Sequence, residues 1–194
     1  MIIGVTGGIG SGKSTVVGFF REWGQKSVIE VDKLGWKILK IKQKEIVEEF
    51  GTEILTDGKE VQPQIDRKRL GRLVFASQDK INKFNSIVHP ALISELKYCL
   101  THQVSANLLV VDCALIYEWK IEGWFDKIIL VSSSFENKLH RLLKSGYTKE
   151  EASNRIHAQL PDKNKPANWI IENNNSLQTL REKAKSIWKL LCNK

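Results

Sequence analysis

The feature that most constrains this chain lies at its start, in MIIGVTGGIGSGKSTVV. Residues 7–14 fit the pattern G-x-x-x-x-G-K-[ST], between the apolar run IIGVT and a helical face. Its glycines let backbone N–H groups turn inward around phosphate oxygens at the positive end of a helix dipole. The motif predicts a strand, a phosphate-binding loop and a helix, and these flanking elements disfavour a glycine-rich turn without a ligand.

Two side chains of the loop have predicted partners on a nucleotide. Lys13 should reach the β- and γ-phosphates, and the Ser14 hydroxyl should bind Mg²⁺. Asp112 ends the apolar run LLVVD, and a carboxylate in that position commonly holds Mg²⁺ in proteins with such a loop. We therefore expect a metal site formed by Ser14 and Asp112; the alternative is that Asp112 only caps its strand.

The rest of the chain alternates between apolar runs and helical patterns, which is typical of an α/β protein with a mainly parallel sheet. Pro90 interrupts a long helical stretch and predicts a kink or break there. Capping boxes formed by Ser133 with Glu136 and by Thr148 with Glu151 predict the starts of two later helices. The expected strands after the first are 27–31, 108–113, 127–132 and 167–173.

Composition narrows the class of protein. With 194 residues, of which 42% are hydrophobic, the chain has enough apolar material for one domain with small insertions. We expect no membrane span and no signal peptide, and three distant cysteines favour a reducing, cytoplasmic location over a disulfide framework or zinc site. The net charge of +8 is spread along the chain, which suits phosphorylated substrates and leaves nucleic acid open.

Two carboxylates stand at the end of the predicted second strand, in SVIEVDKLG. Because alternate residues of a strand share one side, Glu30 and Asp32 should lie together. Ligands of open α/β sheets bind beyond the carboxyl ends of the strands. Asp32 should therefore lie across the cleft from the loop, where it can accept a proton from an attacking hydroxyl. The alternative is an aspartate that caps the following helix.

Further segments resemble one known family. GVTGGIGSGKSTV, VIEVD, IDRKRLGRLVF, NSIVHP and RIHAQ occur in the order and at the intervals of dephospho-coenzyme A kinases, over nearly the whole chain. The combination is far more specific than the loop alone. The resemblance implies a P-loop kinase fold over residues 1–194 and transfer of a phosphate from ATP, with Mg²⁺, to the ribose 3′-hydroxyl of dephospho-coenzyme A in the last step of coenzyme A synthesis.

The resemblance also implies roles for individual residues. Asp32 matches the family's catalytic acidic residue, the base on the ribose hydroxyl. The helical region 33–102 matches the acceptor-binding part of the family and carries Arg67, Asn85 and His89, although a histidine before a proline is also a common structural feature. The residues expected to hold ATP are Gly8, Gly10, Ser11, Gly12, Lys13, Ser14 and Thr15.

Residues 134–165 form a predicted lid of two helices, inserted in the core like region 33–102. Arg141 and Lys144 should share one helix face, opposite an inward face that includes Phe135. Their charges would neutralise the transferring phosphoryl group, with Arg141 as a catalytic residue and Lys144 as an ATP ligand. Arg155, on the next helix, is expected to bind substrate. The alternative for each cation is a solvated basic helix.

Several positions depart from the family pattern. Ala114 stands where a proline is usual, Lys144 replaces the second of two arginines, and Asn168 replaces an aspartate. Lysine keeps the charge of arginine but loses its planar fork. These changes leave the loop and Asp32 intact, so they do not by themselves indicate an inactive member.

Three functions remain as hypotheses from the sequence. The first is a dephospho-coenzyme A kinase, the second a kinase of another small hydroxyl or nucleotide acceptor, and the third a divergent, non-catalytic nucleotide-binding protein. We expect ATP and dephospho-coenzyme A as small-molecule partners, with no nucleic acid, no membrane, and a monomer or weak homo-oligomer. DNA binding with a steep salt dependence would favour the third hypothesis.

Overall fold

A computed structural model describes residues 1–57, 63–102, 107–162 and 165–192 of the chain. The chain divides into two compact units, Met1–Glu30 with His102–Lys194, and Val31–Thr101. The predicted acceptor region and lid each contain residues outside the described part of the chain, namely 58–62 and 163–164. Each unit is built around its own elements and is described in turn.

Within the described ranges, the first unit contains one five-stranded sheet of order β2-β3-β1-β4-β5, and every neighbouring pair is parallel. This confirms the predicted α/β class with a parallel sheet. The strands are β1 (Ile2–Thr6), β2 (Val28–Glu30), β3 (Leu109–Asp112), β4 (Lys127–Ser132) and β5 (Trp169–Glu172).

Both faces of the sheet are covered, which explains its continuous apolar strands. On β1, Ile3 and Val5 are fully buried in the cluster that contains residues of the first and last helices. The intervening Gly4 lies against the other cover, since a β-carbon there would be 2.8 Å from Cδ1 of Ile116 and 3.0 Å from the Phe125 ring. Helix α1 (Lys13–Glu22) and helix α8 (Leu177–Cys192) pack on the first of these faces.

Two short helices follow β4 in the first unit, α6 (Phe135–Lys144) and α7 (Lys149–His157). The capping box at Thr148 and Glu151 is confirmed, with both reciprocal hydrogen bonds present. The box predicted at Ser133 is wrong by one residue, because Ser134 is the N-cap of α6 and its hydroxyl accepts from the Asn137 N–H. The Ser133 hydroxyl instead donates to the Asn173 carbonyl.

The second unit is helical in its described part, with α2 (Val31–Ile41), α3 (Gln43–Phe50), α4 (Arg67–Val74) and α5 (Gln78–His102). Asp66 caps α4, its carboxylate accepting from two backbone N–H groups. The prediction of a break at Pro90 is wrong, because α5 continues through it. Although α5 has 25 residues, the described helices include none both long and apolar enough to cross a membrane.

The end of the second strand differs from the prediction. Strand β2 ends at Glu30, and α2 begins at the next residue. Asp32 therefore lies in the first turn of a helix, so the strand argument that put it on the same side as Glu30 is wrong. Glu30 itself pairs with the Arg21 guanidinium. Because α2 follows β2 with no residue between them, the sequence contained no capping residue that marked where the helix begins.

Candidate active site

The loop between β1 and α1 has the backbone form that the motif predicts. Gly10 and Gly12 have φ values of 73° and 97°, in the left-handed region that glycine adopts at little cost. Gly12 directly precedes α1, so the loop amides lead into the positive end of that helix. At Gly10, a β-carbon would lie 2.9 Å from the Lys138 carbonyl oxygen. A side chain here would therefore clash with α6 as well as strain the backbone.

Lys13 and Asp112 form an ion pair beside the loop. Both are buried, with 8% and 6% of their surfaces exposed. Asp112 ends β3, in register with Val5 of β1 and Glu30 of β2, which brings its carboxylate to the edge of the sheet where the loop starts. The structure thus brings together the predicted phosphate-binding lysine and a predicted metal ligand. Ser14 and Thr15 lie on the first turn of α1 and are exposed.

Arg141 fixes the loop from α6. Its Nη1 donates to the carbonyl of Gly10 at 2.9 Å and to the Ser133 hydroxyl at 3.0 Å, and its Nη2 donates to the Asn173 carbonyl at 2.7 Å. Partial burial lowers the pKa of Arg141 from its usual value, although a guanidinium remains charged at neutral pH. The planar fork spans several oxygens that one ammonium could not.

Asn173 was missed by the sequence analysis. Its side-chain amide, buried just after β5, donates to the Ser11 carbonyl at 2.7 Å. Its own carbonyl accepts from Arg141. The available signal was its place beyond the carboxyl end of a parallel strand, where open α/β sheets bind ligands. Asn173 therefore supports the loop from the sheet as Arg141 does from the helix.

The segment after α7 also contacts the loop. The Ile9 N–H donates to Oε1 of Gln159 at 2.7 Å, and Nζ of Lys138 donates to Oδ2 of Asp162 at 2.7 Å. A cavity of about 270 Å³ opens here, lined by Gly8, Ile9, Lys138, Gln159 and residues adjoining Gln159. Lys138 and Asp162 did not feature in the sequence prediction. Lys138 stands three residues before Arg141, a spacing that puts both on one helix face.

The two cations predicted to share a lid face differ in their surroundings. Arg141 is half-buried against the loop, whereas Lys144, the last residue of α6, is exposed. Phe135 was expected on the inward face, yet it is 37% exposed, so that part of the prediction is wrong. Arg155 of α7 lies with its guanidinium 4.9 Å from the centre of the Tyr147 ring.

The remaining predicted residues belong to the second unit. Asp32 is exposed in the first turn of α2. Arg67, the first residue of α4, places its guanidinium 4.4 Å from the centre of the Trp36 ring. Asn85 and His89 are partly buried and lie one turn apart on α5, so they share a face. Burial lowers the pKa of His89 to about 4, so its ring is neutral at physiological pH.

Comparison with known proteins identifies the family. The dephospho-CoA kinase family model matches residues 1–179. The chain belongs to the dephospho-CoA kinase family. The dephospho-CoA kinase of Carboxydothermus hydrogenoformans is 36% identical, across 97% of this chain and 94% of its own. That of Fusobacterium nucleatum is 38% identical, across 94% of both chains, and that of Arabidopsis thaliana 36%, across 96% of this chain and 82% of its own.

Solved structures agree with this kinase assignment. TT1252 from Thermus thermophilus matches with a TM-score of 0.76 and 33% identity, covering 100% of this chain and 98% of its own. Dephospho-CoA kinase from Campylobacter jejuni matches with a TM-score of 0.62 and 25% identity, covering 98% and 96%. Shikimate kinase from Acinetobacter baumannii, at 14% identity and a TM-score of 0.52, covering 98% and 92%, shares the fold alone.

Two departures from the usual dephospho-CoA kinase pattern have structural roles here. The side chain of Asn168 accepts from the Ile128 N–H at 2.8 Å, and its own N–H donates to the Ile128 carbonyl at 3.0 Å. This residue therefore aligns the start of β5 with β4. Ala114, which stands where proline is usual, offers its carbonyl to the Thr6 hydroxyl at 3.2 Å. Both substitutions are compatible with an intact sheet edge.

Proposed function

We propose that this chain transfers the terminal phosphate of ATP to the ribose 3′-hydroxyl of dephospho-CoA, which yields CoA in the last step of its synthesis. One observation carries the proposal. A chain matched to the kinase family over residues 1–179 also has its loop fully built, with Lys13 against Asp112 and Arg141 bonded to the loop carbonyl of Gly10.

The first unit supplies the phosphate-binding groups. In this proposal the N–H groups of residues 8–15 and the Lys13 ammonium hold the phosphates, because left-handed glycines at the start of α1 leave the backbone free of side chains. Arg141 supports the loop through the Gly10 carbonyl and adds positive charge beside it. Lys144 and Arg155 lie on the two helices of residues 134–165. In the proposal, the Lys144 ammonium contacts ATP and the Arg155 guanidinium contacts the acceptor.

Ser14 and Asp112 fit a magnesium ion by their chemistry. A hydroxyl on the first turn of α1 and a carboxylate at the end of β3 are the oxygen ligands that Mg²⁺ takes, together with phosphate oxygens and water. When bound, the ion neutralises charge on the β- and γ-phosphates. Lys13, already paired with Asp112, holds that carboxylate beside the loop.

The second unit supplies the proposed base. Asp32 is an exposed carboxylate in the first turn of α2, where an acceptor in solution can reach it. In the proposal Asp32 accepts the proton of the ribose hydroxyl as that oxygen bonds to phosphorus. Its position in the sequence, two residues after β2, also matches the acidic residue of the family.

Arg67, Asn85 and His89 are the proposed acceptor-binding residues. Arg67 lies over the Trp36 ring, and an arginine stacked on an aromatic ring keeps N–H donors for a phosphate. Asn85 and His89 share a face of α5. Since the His89 ring is neutral at pH 7, it would serve as a hydrogen-bonding group rather than as a charge.

The proposal is tested by measuring ADP release from Mg²⁺-ATP with and without dephospho-CoA. We expect acceptor-dependent ADP and a product heavier by one phosphate. An acceptor that lacks the 3′-hydroxyl should give neither, which identifies the reacting group. Lys13→Met serves as the inactive control, because it removes the loop ammonium.

The other outcomes refute the proposal in distinct ways. ADP release that ignores dephospho-CoA but rises with another hydroxyl compound would assign a different acceptor. Tight ATP binding without ADP release under any condition would indicate a non-catalytic nucleotide-binding protein. A product from the acceptor lacking the 3′-hydroxyl would place the phosphate elsewhere on the molecule.

A further inference from the structure

Lys138 is a buried cation beside the loop to which the proposed function assigns no role. It lies on α6, with only 9% of its surface exposed. Lysine is almost never this buried unless its charge is paired. The partner here is Asp162, whose Oδ2 accepts from Nζ at 2.7 Å, and the two side chains are 11% and 17% exposed.

The Lys138 ammonium lies against the β1 end of the loop. A β-carbon on Gly8 would be 3.3 Å from its Nζ and 3.2 Å from Oε1 of Gln159. Because Gly8 has no side chain, the Lys138 ammonium and the Gln159 side chain can both lie against it. The ammonium and the Gln159 amide are near neighbours, and both line the cavity of about 270 Å³.

Two donors of this cavity are held by acceptors on one segment. The Ile9 N–H donates to Gln159, and Lys138 donates to Asp162. Both acceptors lie within residues 159–162, directly after α7. A backbone N–H and an ammonium beside a glycine are the pair of donors that an oxyanion takes in phosphate-binding loops. An incoming phosphate oxygen would therefore compete with oxygens of this segment.

We infer that Lys138 is a further phosphate-binding residue, which pairs either with Asp162 or with the terminal phosphate of ATP. In loops of this type, the backbone N–H groups cradle the α- and β-phosphates. A cation at the β1 end of the loop is then available to the terminal phosphate. The exchange replaces one anion with another, so the buried ammonium is never left unpaired. The identity of the nucleotide rests on the proposed function.

The two members of the pair should then have opposite effects on ATP binding. Lys138→Met removes the cation but keeps an unbranched side chain of similar length. Asp162→Asn removes the competing charge and leaves Lys138 available to the phosphate. A pair that only braced the segment after α7 would instead be damaged alike by both substitutions.

The test is calorimetric titration of the full chain with Mg²⁺-ATP and with Mg²⁺-ADP. We expect Lys138→Met to weaken ATP binding about tenfold and ADP binding less than about twofold. Asp162→Asn should leave ATP binding equal or tighten it severalfold. Lys185→Met, an exposed lysine of α8, is the matched control and should change neither affinity.

Equal weakening of ATP and ADP binding by both substitutions would overturn the inference and make the pair a brace. If Lys138→Met unfolds, Asp162→Asn alone decides, because weaker ATP binding in that variant contradicts the exchange. The titrations contain no acceptor. A protein that binds ATP as described but releases no acceptor-dependent ADP would therefore refute the proposed function and leave Lys138 assigned.

Discussion

The two units of the molecule carry their candidate residues in contrasting ways. In the first unit, Lys13 and Asp112 are buried as a pair, and Arg141 is bonded to loop and strand-end oxygens. In the second unit, Asp32 and Arg67 are exposed on separate helices. The candidate phosphate loop is thus held by its own contacts, whereas Asp32 and Arg67 are solvated.

The proposed function accounts for this contrast. In it, the phosphates of ATP are bound mainly by backbone N–H groups, whose positions depend on a loop held in one shape. The acceptor hydroxyl is selected by individual side chains of the second unit. Substitutions in the first unit should therefore change stability and nucleotide binding together, while those in the second should change turnover without weakening ATP binding.

The largest effect is expected from Asp32→Asn. The amide cannot accept the proton of the ribose hydroxyl, so turnover should fall by about 10²–10⁴ on the scale of general-base catalysis. ATP affinity and the free energy of unfolding should stay near their original values, because the Asp32 side chain is exposed. Steady-state kinetics with dephospho-CoA and calorimetric titration with ATP provide the two measurements.

Glu48→Gln is the matched control for Asp32→Asn. Glu48 is also an exposed acid on a helix of the second unit, with a side chain 65% exposed, and its loss should leave turnover unchanged. Unchanged turnover in Asp32→Asn would exclude Asp32 as the base. A large loss of ATP affinity in that variant would break the separation between the two units.

Arg141→Lys should lower both stability and nucleotide affinity. An ammonium cannot donate at once to the Gly10 and Asn173 carbonyls that the guanidinium spans. We expect a loss of about 1.5–3 kcal/mol in the free energy of unfolding, the range for hydrogen bonds to a charged group, and about tenfold weaker ATP binding. Urea unfolding and titration measure these quantities.

Arg21→Lys provides the comparison for Arg141→Lys. The Arg21 side chain is 42% exposed and pairs with Glu30, so its change should cost less than about 0.5 kcal/mol. If Arg141→Lys kept full stability while losing turnover, Arg141 would act on the phosphoryl group alone. The hydrogen bonds from Arg141 to the loop would then contribute nothing to the stability of the folded protein.

The form of the candidate phosphate loop was largely predictable from sequence because it depends on local residues. Eight consecutive residues specify the loop, and a carboxylate after an apolar strand specified Asp112. What could not be predicted depends on tertiary packing. Asn173 reaches Ser11 across 162 positions of sequence, and the pairing of Lys138 with Asp162 joins two segments whose local patterns show only surface charge.

The fold was predictable for the same reason, with errors at boundaries. Parallel strands have continuous apolar runs, and β4 was predicted to the residue. The continuity of α5 through Pro90 has a cause in tertiary packing. Capping and proline rules describe isolated helices, whereas Val88 and Leu92 of α5 are buried, and such packing stabilises a helix on both sides of a proline.

His89 should make the second unit sensitive to acid. Burial lowers the pKa of His89 from 6.5 to about 4, so below pH 6.5 the unfolded chain binds a proton that the folded chain does not. Stability should therefore fall as the pH falls from 6.5 to 4. Because the ring is partly exposed, we expect a loss of about 1–2 kcal/mol rather than the full linkage value.

His89→Gln isolates this contribution. Gln cannot be protonated, so the variant should lose less stability than the original protein between pH 6.5 and pH 4, as measured by urea unfolding at several pH values. Above pH 7 the stabilities of the variant and of the original protein should change with pH in the same way, because the histidine is largely neutral in both folded and unfolded chains. Parallel stability curves at all pH values would show that His89 titrates normally and is more solvated than the structure indicates.

The smallest effect is expected from Lys144→Arg, which tests the contrast within a single helix. Lys144 is exposed at the end of α6, one turn beyond Arg141, so the change should alter stability by less than about 0.5 kcal/mol. Turnover should stay equal or rise, because a guanidinium contacts phosphate through two N–H groups where an ammonium acts as a point charge. Steady-state kinetics at saturating ATP measure this. A tenfold loss would mean that Lys144 makes a contact that only an ammonium fits, and α6 would then carry a third constrained cation besides Lys138 and Arg141.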